Sequence, residues 1–252
     1  MNIDKPREQD RETLYVLWQK TFGDSDKFLE SFYRIAYSPD RARCVYDGDK
    51  PIAALYWFDC EYDGERLAYL YAVATDKEYR GRGIGTALLE DTHRHLVTLG
   101  YSGAVLVPAE PSLFDFYSKR GYKVCSEISE ARVAPVAEFV TLSRLGSEEY
   151  GRLRRALLPV SGIIQEGYNL DFLAEDAEFY SGDGFVLALR EVKGELFCIE
   201  LLGDYSKAPA ILYTLGYRRG VFRTPGKGKP FAMFKPLVSS ASEPGYFGLA
   251  FD

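Results

Sequence analysis

The stretch Arg80-Gly81-Arg82-Gly83-Ile84-Gly85-Thr86 constrains this chain more than any other. It follows a strand-like apolar run, Leu67 to Val73, and opens a helix-like run from Ile84 to about Leu99. Glycine lets backbone N–H groups approach an anion, because no Cβ stands in the way. The first N–H groups of a helix lack an internal partner and point outward at the positive end of the macrodipole. A glycine loop that opens a helix is therefore a place to hold phosphate. Arg80 and Arg82 add charge-assisted donors.

The spacing narrows the choice of ligand. A P-loop needs Gly-x-x-x-x-Gly-Lys-Ser/Thr, which this chain does not contain. A dinucleotide loop needs Gly-x-Gly-x-x-Gly, and here the third glycine falls in the wrong place. The fit is to Arg-x-x-Gly-x-Gly, as Arg80, Gly83 and Gly85. The helix from Gly83 is expected to bury Ile84, Ala87, Leu88, Leu96 and Leu99 against a sheet, with Gly100 ending it. The same string recurs as Arg223-Thr224-Pro225-Gly226-Lys227-Gly228. There a proline and a strand-like run follow, without a helix, so it reads as a hairpin turn and not as an anion site.

The segment Tyr71 to Gly85 resembles the GNAT superfamily, the acetyl-CoA-dependent N-acetyltransferases, in its central strand, pyrophosphate loop and helix start. A second match is Phe116-Tyr117-Ser118-Lys119-Arg120-Gly121-Tyr122, which is similar to that family's helix end with a tyrosine, a glycine and an aromatic opening a strand. Gly103 to Val107 between them reads as a short buried strand. The resemblance covers about residues 1 to 135. It implies an α/β GNAT acyl-CoA N-acyltransferase fold, a mixed central sheet flanked by helices. The catalytic domain is expected at 1–136, and a smaller, degenerate GNAT-like domain at 137–252.

The resemblance also implies a chemistry. Backbone N–H groups of Arg80, Gly81, Arg82, Gly83, Ile84, Gly85 and Thr86 are expected to take the pyrophosphate of acetyl-CoA, the cosubstrate. Val73, Ala74 and Thr75 match the strand end that binds pantetheine and the thioester, with the Val73 N–H as oxyanion donor. Tyr117 matches the general acid: a phenol of ordinary pKa about 10 is protonated at neutral pH and can donate to a leaving thiolate. Glu110 stands where family members often carry Asn. A carboxylate there can accept the amine proton, directly or through water, or cap the helix that starts near Pro111. The reaction implied is direct attack of a primary amine in a ternary complex. Two other functions fit the same residues: an acyl-CoA-binding module without catalysis, and a tandem-fold aminoacyl transferase.

Composition sets limits around this. The 252 residues are 46% hydrophobic and 27% charged, enough for one large or two modest soluble domains. A net charge of −6 without a dominant basic stripe argues against nucleic acid as a partner. The partner implied is a small-molecule or peptide amine, and a homodimer is an open assembly. The first residues carry charges throughout and no apolar segment of the signal-peptide kind, and no window approaches a membrane span, so cytoplasm is the expected location and no membrane the expectation. Cys44, Cys60, Cys125 and Cys198 are scattered, and the two histidines, His93 and His95, are two apart on a helix. Buried or half-buried thiols and solvent-facing imidazoles are expected, and no metal.

The pattern along the chain predicts helices over Glu8–Phe22 and around Phe28–Ile35, then a three-strand meander through turns at Asp47-Gly48 and Asp63-Gly64. After residue 135 the pattern is helix (Ser147–Leu158), hairpin (Phe185–Leu202), helix (Lys207–Leu215) and hairpin, with Tyr246–Phe251 as a closing strand. Ile211–Tyr217 lines up by its glycine with Phe116–Tyr122, which puts Leu212 opposite Tyr117.

Overall fold

The structure, a computed structural model, describes residues 2–251. The chain forms two compact units, each drawn from separate runs of sequence. One contains the residues up to Leu106 with Ser118–Gly121 and Phe234–Ser242; the other contains Val107–Tyr117, Tyr122–Met233 and the residues from Glu243 on.

In the first unit, β1 (Asn2–Asp4), β2 (Ala42–Asp47), β3 (Lys50–Tyr62) and β4 (Glu65–Thr75) pair antiparallel in that order, and β5 (Gly103–Leu106) runs parallel to β4. The register sets Ile3 against Val45, Cys44 against Ala54, Trp57 against Leu70 and Ala68 against Ala104. At the turn between β3 and β4, Asp63 and Gly64 both have positive φ, 53° and 74°, which matches the right-handed twist of a tight hairpin. The edge strand β1 was not expected; three residues with exposed ends carry no apolar alternation to betray it.

Helices cover both faces of this sheet. Helices α1 (Arg11–Phe22) and α2 (Asp26–Ser31) lie on one side, and α3 (Ile84–Thr98) on the other. Trp18 of α1 packs on Tyr56 with ring centroids 5.2 Å apart, while His95 of α3 packs on Trp57 at 6.2 Å. Tyr56 and Trp57 are neighbours on β3 and point to opposite faces. Hence residues 51–58 are buried without alternation, as a strand covered on both sides must be.

The buried face of α3 is Ile84, Leu88, Leu89, Thr92, His93 and Leu96; Ala87 and Leu99 are exposed, contrary to expectation. The helix turns an i, i+4 row to the sheet that includes two polar residues. Thr92 fits there because its hydroxyl donates to the Leu88 carbonyl at 2.8 Å. His93 is not solvent-facing either: burial, with Lys235 and Arg94 nearby, lowers its pKa to about 3 and keeps the imidazole neutral. The thiols behave as expected, with Cys44, Cys60 and Cys198 buried and Cys125 half-buried.

In the second unit, α4 (Pro111–Ser118) leads to β6 (Lys123–Val133). Then come β7 (Ser143–Leu145), α5 (Ser147–Leu157), α6 (Tyr168–Leu173), β8 (Glu178–Gly182), β9 (Phe185–Val192), β10 (Glu195–Gly203), α7 (Ala208–Thr214) and β11 (Gly220–Pro225). Strands β7 to β10 pair antiparallel in sequence order, and β11 runs parallel to β10. These are the order and directions of β1 to β5. Each unit is closed by a distant run of chain: β6 pairs antiparallel with β11 in the second, and in the first the Leu237 N–H donates to the Ser102 carbonyl at 2.8 Å.

This topology corrects three expectations. Helix α7 connects the parallel pair β10/β11, so its counterpart is α3, which connects β4/β5, and not the helix that ends near Tyr117. The strings agree: Thr98-Leu99-Gly100-Tyr101 and Thr214-Leu215-Gly216-Tyr217 are identical. Tyr101 N–H donates to Leu96, and Tyr217 N–H to Leu212, both at 3.0 Å. Tyr122 N–H makes the same bond to Tyr117 at 3.2 Å, as helices that close on a left-handed glycine commonly do; only strand pairing tells such helices apart. Second, Arg223–Gly228 is not a hairpin. It joins β11 to β12 (Lys229–Pro236), and β6 lies between those two strands. The turn passes so close over the middle of β6 that a Cβ on Gly228 would collide with the Ile128 carbonyl oxygen. Third, residues 246–251 form no strand. Apart from one bridge, Gly162 to Tyr246, they are irregular, yet Tyr246, Phe247, Leu249 and Ala250 are buried.

Candidate active site

The cofactor residues named from the sequence all fall in the first unit, around the end of β4 and the start of α3. Opposite β3, the register of β4 shifts between Ala54 and Tyr56, and Ala72 is held at φ +49°, unusual for a residue with a Cβ. The ladder from β4 to β5 covers only Leu67–Tyr69, paired with Gly103–Val105. Beyond it, β4 continues six residues along β3 alone. Tyr71, Ala72, Val73 and Thr75 are accordingly half-buried, while Ala74 is buried. Parallel strands that part company leave a slot lined by backbone groups without ladder partners.

The loop after β4 is braced from within. The Asp76 carboxylate accepts from Glu78 N–H at 3.1 Å and caps a short 3₁₀ turn, Lys77–Tyr79. The Tyr79 hydroxyl donates to Asp47 at 2.8 Å, and this bond raises the phenol pKa. Arg80 donates from Nε to the Thr75 carbonyl at 2.9 Å, and Arg82 from Nη2 to the Glu78 carbonyl at 3.0 Å. Arg80 thus holds the carbonyl at the end of β4, and Arg82 holds one in the turn that follows. Gly81 and Gly83 sit at φ +76° and +77°, with nothing within 4 Å of where a Cβ would stand. Left-handed backbone, and not crowding, is what calls for glycine here.

Gly83 is the N-cap of α3 and offers no side chain to the helix start. The first N–H groups of this fifteen-residue helix thus face outward uncapped, which suits an anion. Thr75 meets the first turn of α3: a Cβ on Gly85 would lie 3.6 Å from its Oγ1. Strand end, loop and helix start form one surface.

From the sequence, Lys119 and Arg120 read either as positive potential near the coenzyme or as solvated surface charges; the structure brings Arg120 onto this surface. Arg120, half-buried on the Ser118–Gly121 run, donates from Nε to Thr86 Oγ1 at 3.1 Å, and its Nη2 donates to the same oxygen. No local string links positions 86 and 120.

The two predicted catalytic residues stand at opposite ends of α4. Glu110 is exposed just before the helix; its carbonyl accepts from Leu113 N–H at 3.0 Å and its carboxylate from the Ser112 hydroxyl at 3.4 Å. Tyr117, near the other end, is 7% exposed, with its ring 5.1 Å from Phe116 and 5.7 Å from Tyr122. At about 1.5 Å per residue, some 10 Å of helix separates them.

The second unit treats the equivalent place differently. Beyond the β10/β11 ladder, Glu200 is buried and held by Arg154 through Nε at 2.6 Å and Nη2 at 2.9 Å. The Tyr150 and Tyr246 hydroxyls complete the carboxylate at 3.2 and 2.9 Å. Among the described residues of the chain, no helix is long and apolar enough to cross a membrane.

Residues 2–125 match the family model described as acetyltransferase (GNAT) domain. Over these residues the chain carries a GNAT acetyltransferase domain. A relative described as an uncharacterized N-acetyltransferase of Bacillus subtilis (strain 168) is 34% identical over 85 residues, 33% of this chain and 56% of that protein. The chain thus matches little more than half the length of this curated relative. Solved structures of GCN5-related N-acetyltransferases share the fold across nearly the whole chain. That from Kribbella flavida covers 94% of this chain and 72% of its own, with TM-score 0.70 and 17% identity. That from Sphaerobacter thermophilus covers 97% and 96%, with TM-score 0.56 and 12% identity.

Proposed function

We propose that the protein transfers acetyl from acetyl-CoA to a primary amine, a small molecule or a peptide, in the cytoplasm. The observation that carries this reading is the uncapped start of α3 behind two left-handed glycines, next to the end of β4 that has left β5. That combination suits a diphosphate on the helix and an extended thiol arm beside the strand. We read residues 1–136 as the catalytic GNAT domain and residues 137–252 as a smaller, degenerate GNAT-like domain.

Acetyl-CoA supplies the activated thioester when bound. The chain supplies position and a few donors. Backbone N–H groups from Arg80 to Thr86 hold the diphosphate, and Val73 to Thr75 align the arm, so the acetyl carbon is presented to the amine at a fixed distance. The Val73 N–H donates to the thioester oxygen as charge develops on it. The amine nitrogen forms the new C–N bond, its proton leaves to water or to Glu110, and the C–S bond breaks. Tyr117 donates its phenolic proton to the departing sulfur.

Free-thiol release measured across a broad amine library tests this. Release with at least one amine supports it. Stabilisation by acetyl-CoA with no release across the library would instead favour a non-catalytic acyl-CoA-binding module. Absence of any thermal stabilisation by acetyl-CoA would favour a tandem aminoacyl transferase, because a ligand that binds the folded state must raise its stability.

A further inference from the structure

We propose that Arg120 is a coenzyme-binding residue that acts on the diphosphate together with Thr86. The inference rests on acetyl-CoA as the ligand of the α3 start. Thr86 is the third residue of α3, so its hydroxyl stands within the turn whose N–H groups face outward. That hydroxyl accepts from Arg120 through Nε at 3.1 Å and through Nη2. A hydroxyl has one proton to donate as well as lone pairs to fill. With its oxygen engaged by a cation, the Thr86 O–H is polarised and turned toward an acceptor other than Arg120.

The tether also fixes the charge. A surface arginine ordinarily loses much of its electrostatic effect to side-chain motion and solvent. Here the guanidinium is half-buried and held to the helix by two donors from one plane. Its backbone is held too: Lys235 donates from Nζ to the Arg120 carbonyl at 2.6 Å. Gly121 follows at φ +87°, and a Cβ there would lie 3.5 Å from that ammonium. The Arg120 backbone is thereby tied to Lys235, and the cation is held beside the first turn of α3.

The contrast with the loop arginines strengthens the assignment. Arg80 holds the carbonyl at the end of β4 and Arg82 that of Glu78 in the following turn. Arg120 holds a side chain that faces the same anion as the helix N–H groups. A planar fork of this kind matches phosphate oxygens better than a point charge does.

The test is calorimetric titration of coenzyme A, dephospho-coenzyme A and pantetheine into wild type, Arg120→Leu, Arg120→Lys and Thr86→Val. Dephospho-coenzyme A lacks the 3′-phosphate but keeps the diphosphate; pantetheine lacks both. Arg120→Leu is expected to weaken coenzyme A and dephospho-coenzyme A equally, by roughly ten-fold or more, and to leave pantetheine unchanged. Arg120→Lys should recover part of the loss, and Thr86→Val should show a smaller loss of the same pattern. Equal affinities in wild type and Arg120→Leu overturn the proposal. So does a loss confined to coenzyme A, which would assign Arg120 to the 3′-phosphate. Thermal melting of each variant without ligand separates a folding defect from a binding one, and Arg120→Lys carries the test if Arg120→Leu does not fold. Failure of wild type to bind coenzyme A at all would instead remove the function proposed above.

Discussion

The two units repeat one plan and part company at a single point, the exit from the central strand. In the first, β4 ends, Asp76 caps a three-residue 3₁₀ turn, Arg80 to Gly83 follow, and α3 runs for 15 residues. In the second, β10 ends, Asp204 caps an equal turn by accepting from Ser206 N–H at 3.0 Å, and α7 begins at once and runs for 7 residues. The insertion that distinguishes them is the glycine-arginine loop. The second helix also places Pro209 in its first turn, which removes one of the N–H groups an anion would use. Where the first unit leaves half-buried backbone beyond the parallel ladder, the second seals the place with Glu200, Arg154, Tyr150 and Tyr246. The plan is thus a scaffold that stands without a ligand slot. The glycine-arginine loop is an addition at one exit, and a sealed ion pair stands near the other.

The sharpest way to break this comparison is to exchange charge at the two copies of the Arg-x-x-Gly-x-Gly string. Gly83→Glu places a carboxylate and a strained left-handed residue at the helix start, and coenzyme A binding should vanish in calorimetry. Lys227→Glu in the second string should leave that affinity unchanged, since β12 follows it and no helix does.

The next effect concerns stability. Glu200→Gln leaves the buried Arg154 charge without its counter-ion, and chemical denaturation should show a loss of about 3–5 kcal/mol. A loss below 1 kcal/mol, the range of an exposed ion pair, would show the second unit's slot to be wet and open. Tyr117→Phe should cut kcat by about a hundred-fold while the affinity for acetyl-CoA stays as it was. Unchanged turnover would remove the acid role.

The smallest effect is a pH dependence confined to the longer helix. His93 is depressed from 6.5 to about 3, by burial first. Between those values the unfolded chain holds a proton that the folded chain refuses, so the contribution is complete above pH 6.5 and is lost as pH falls. The loss should amount to about 1.4 kcal/mol per pH unit in that window. His93→Gln should flatten the difference in denaturation midpoint between pH 7 and pH 5. On α7 the buried residues are Ala208, Ala210, Ile211 and Leu212, so that helix adds no such slope.

Much of the first unit was legible in the string. Asp63-Gly64 gave its turn away because few residue pairs accept two positive φ values. Gly23 and Gly100 stop α1 and α3 as expected, at φ +77° and +82°. The glycine loop and the helix it opens could be read because strand, glycines and helix are contiguous. Less visible were features made by distant partners. Thr92 and His93 look like an outer face until the helix is rotated onto its sheet. Arg120 reads equally as a charge near the coenzyme or as a solvated surface charge until Thr86 is beside it. Glu200 looks like a polar interruption of a strand until Arg154 arrives from a helix 46 positions away.

The order of residues by itself determined where the chain turns, where helices stop and where a helix starts uncapped behind glycines, because these depend on dihedral freedom and N–H groups within a few positions. Tertiary structure alone decided which helices correspond, which polar side chains are buried and which exit is open. Those outcomes depend on which strands lie side by side, and strand pairing joins residues whose separation along the chain leaves no local trace.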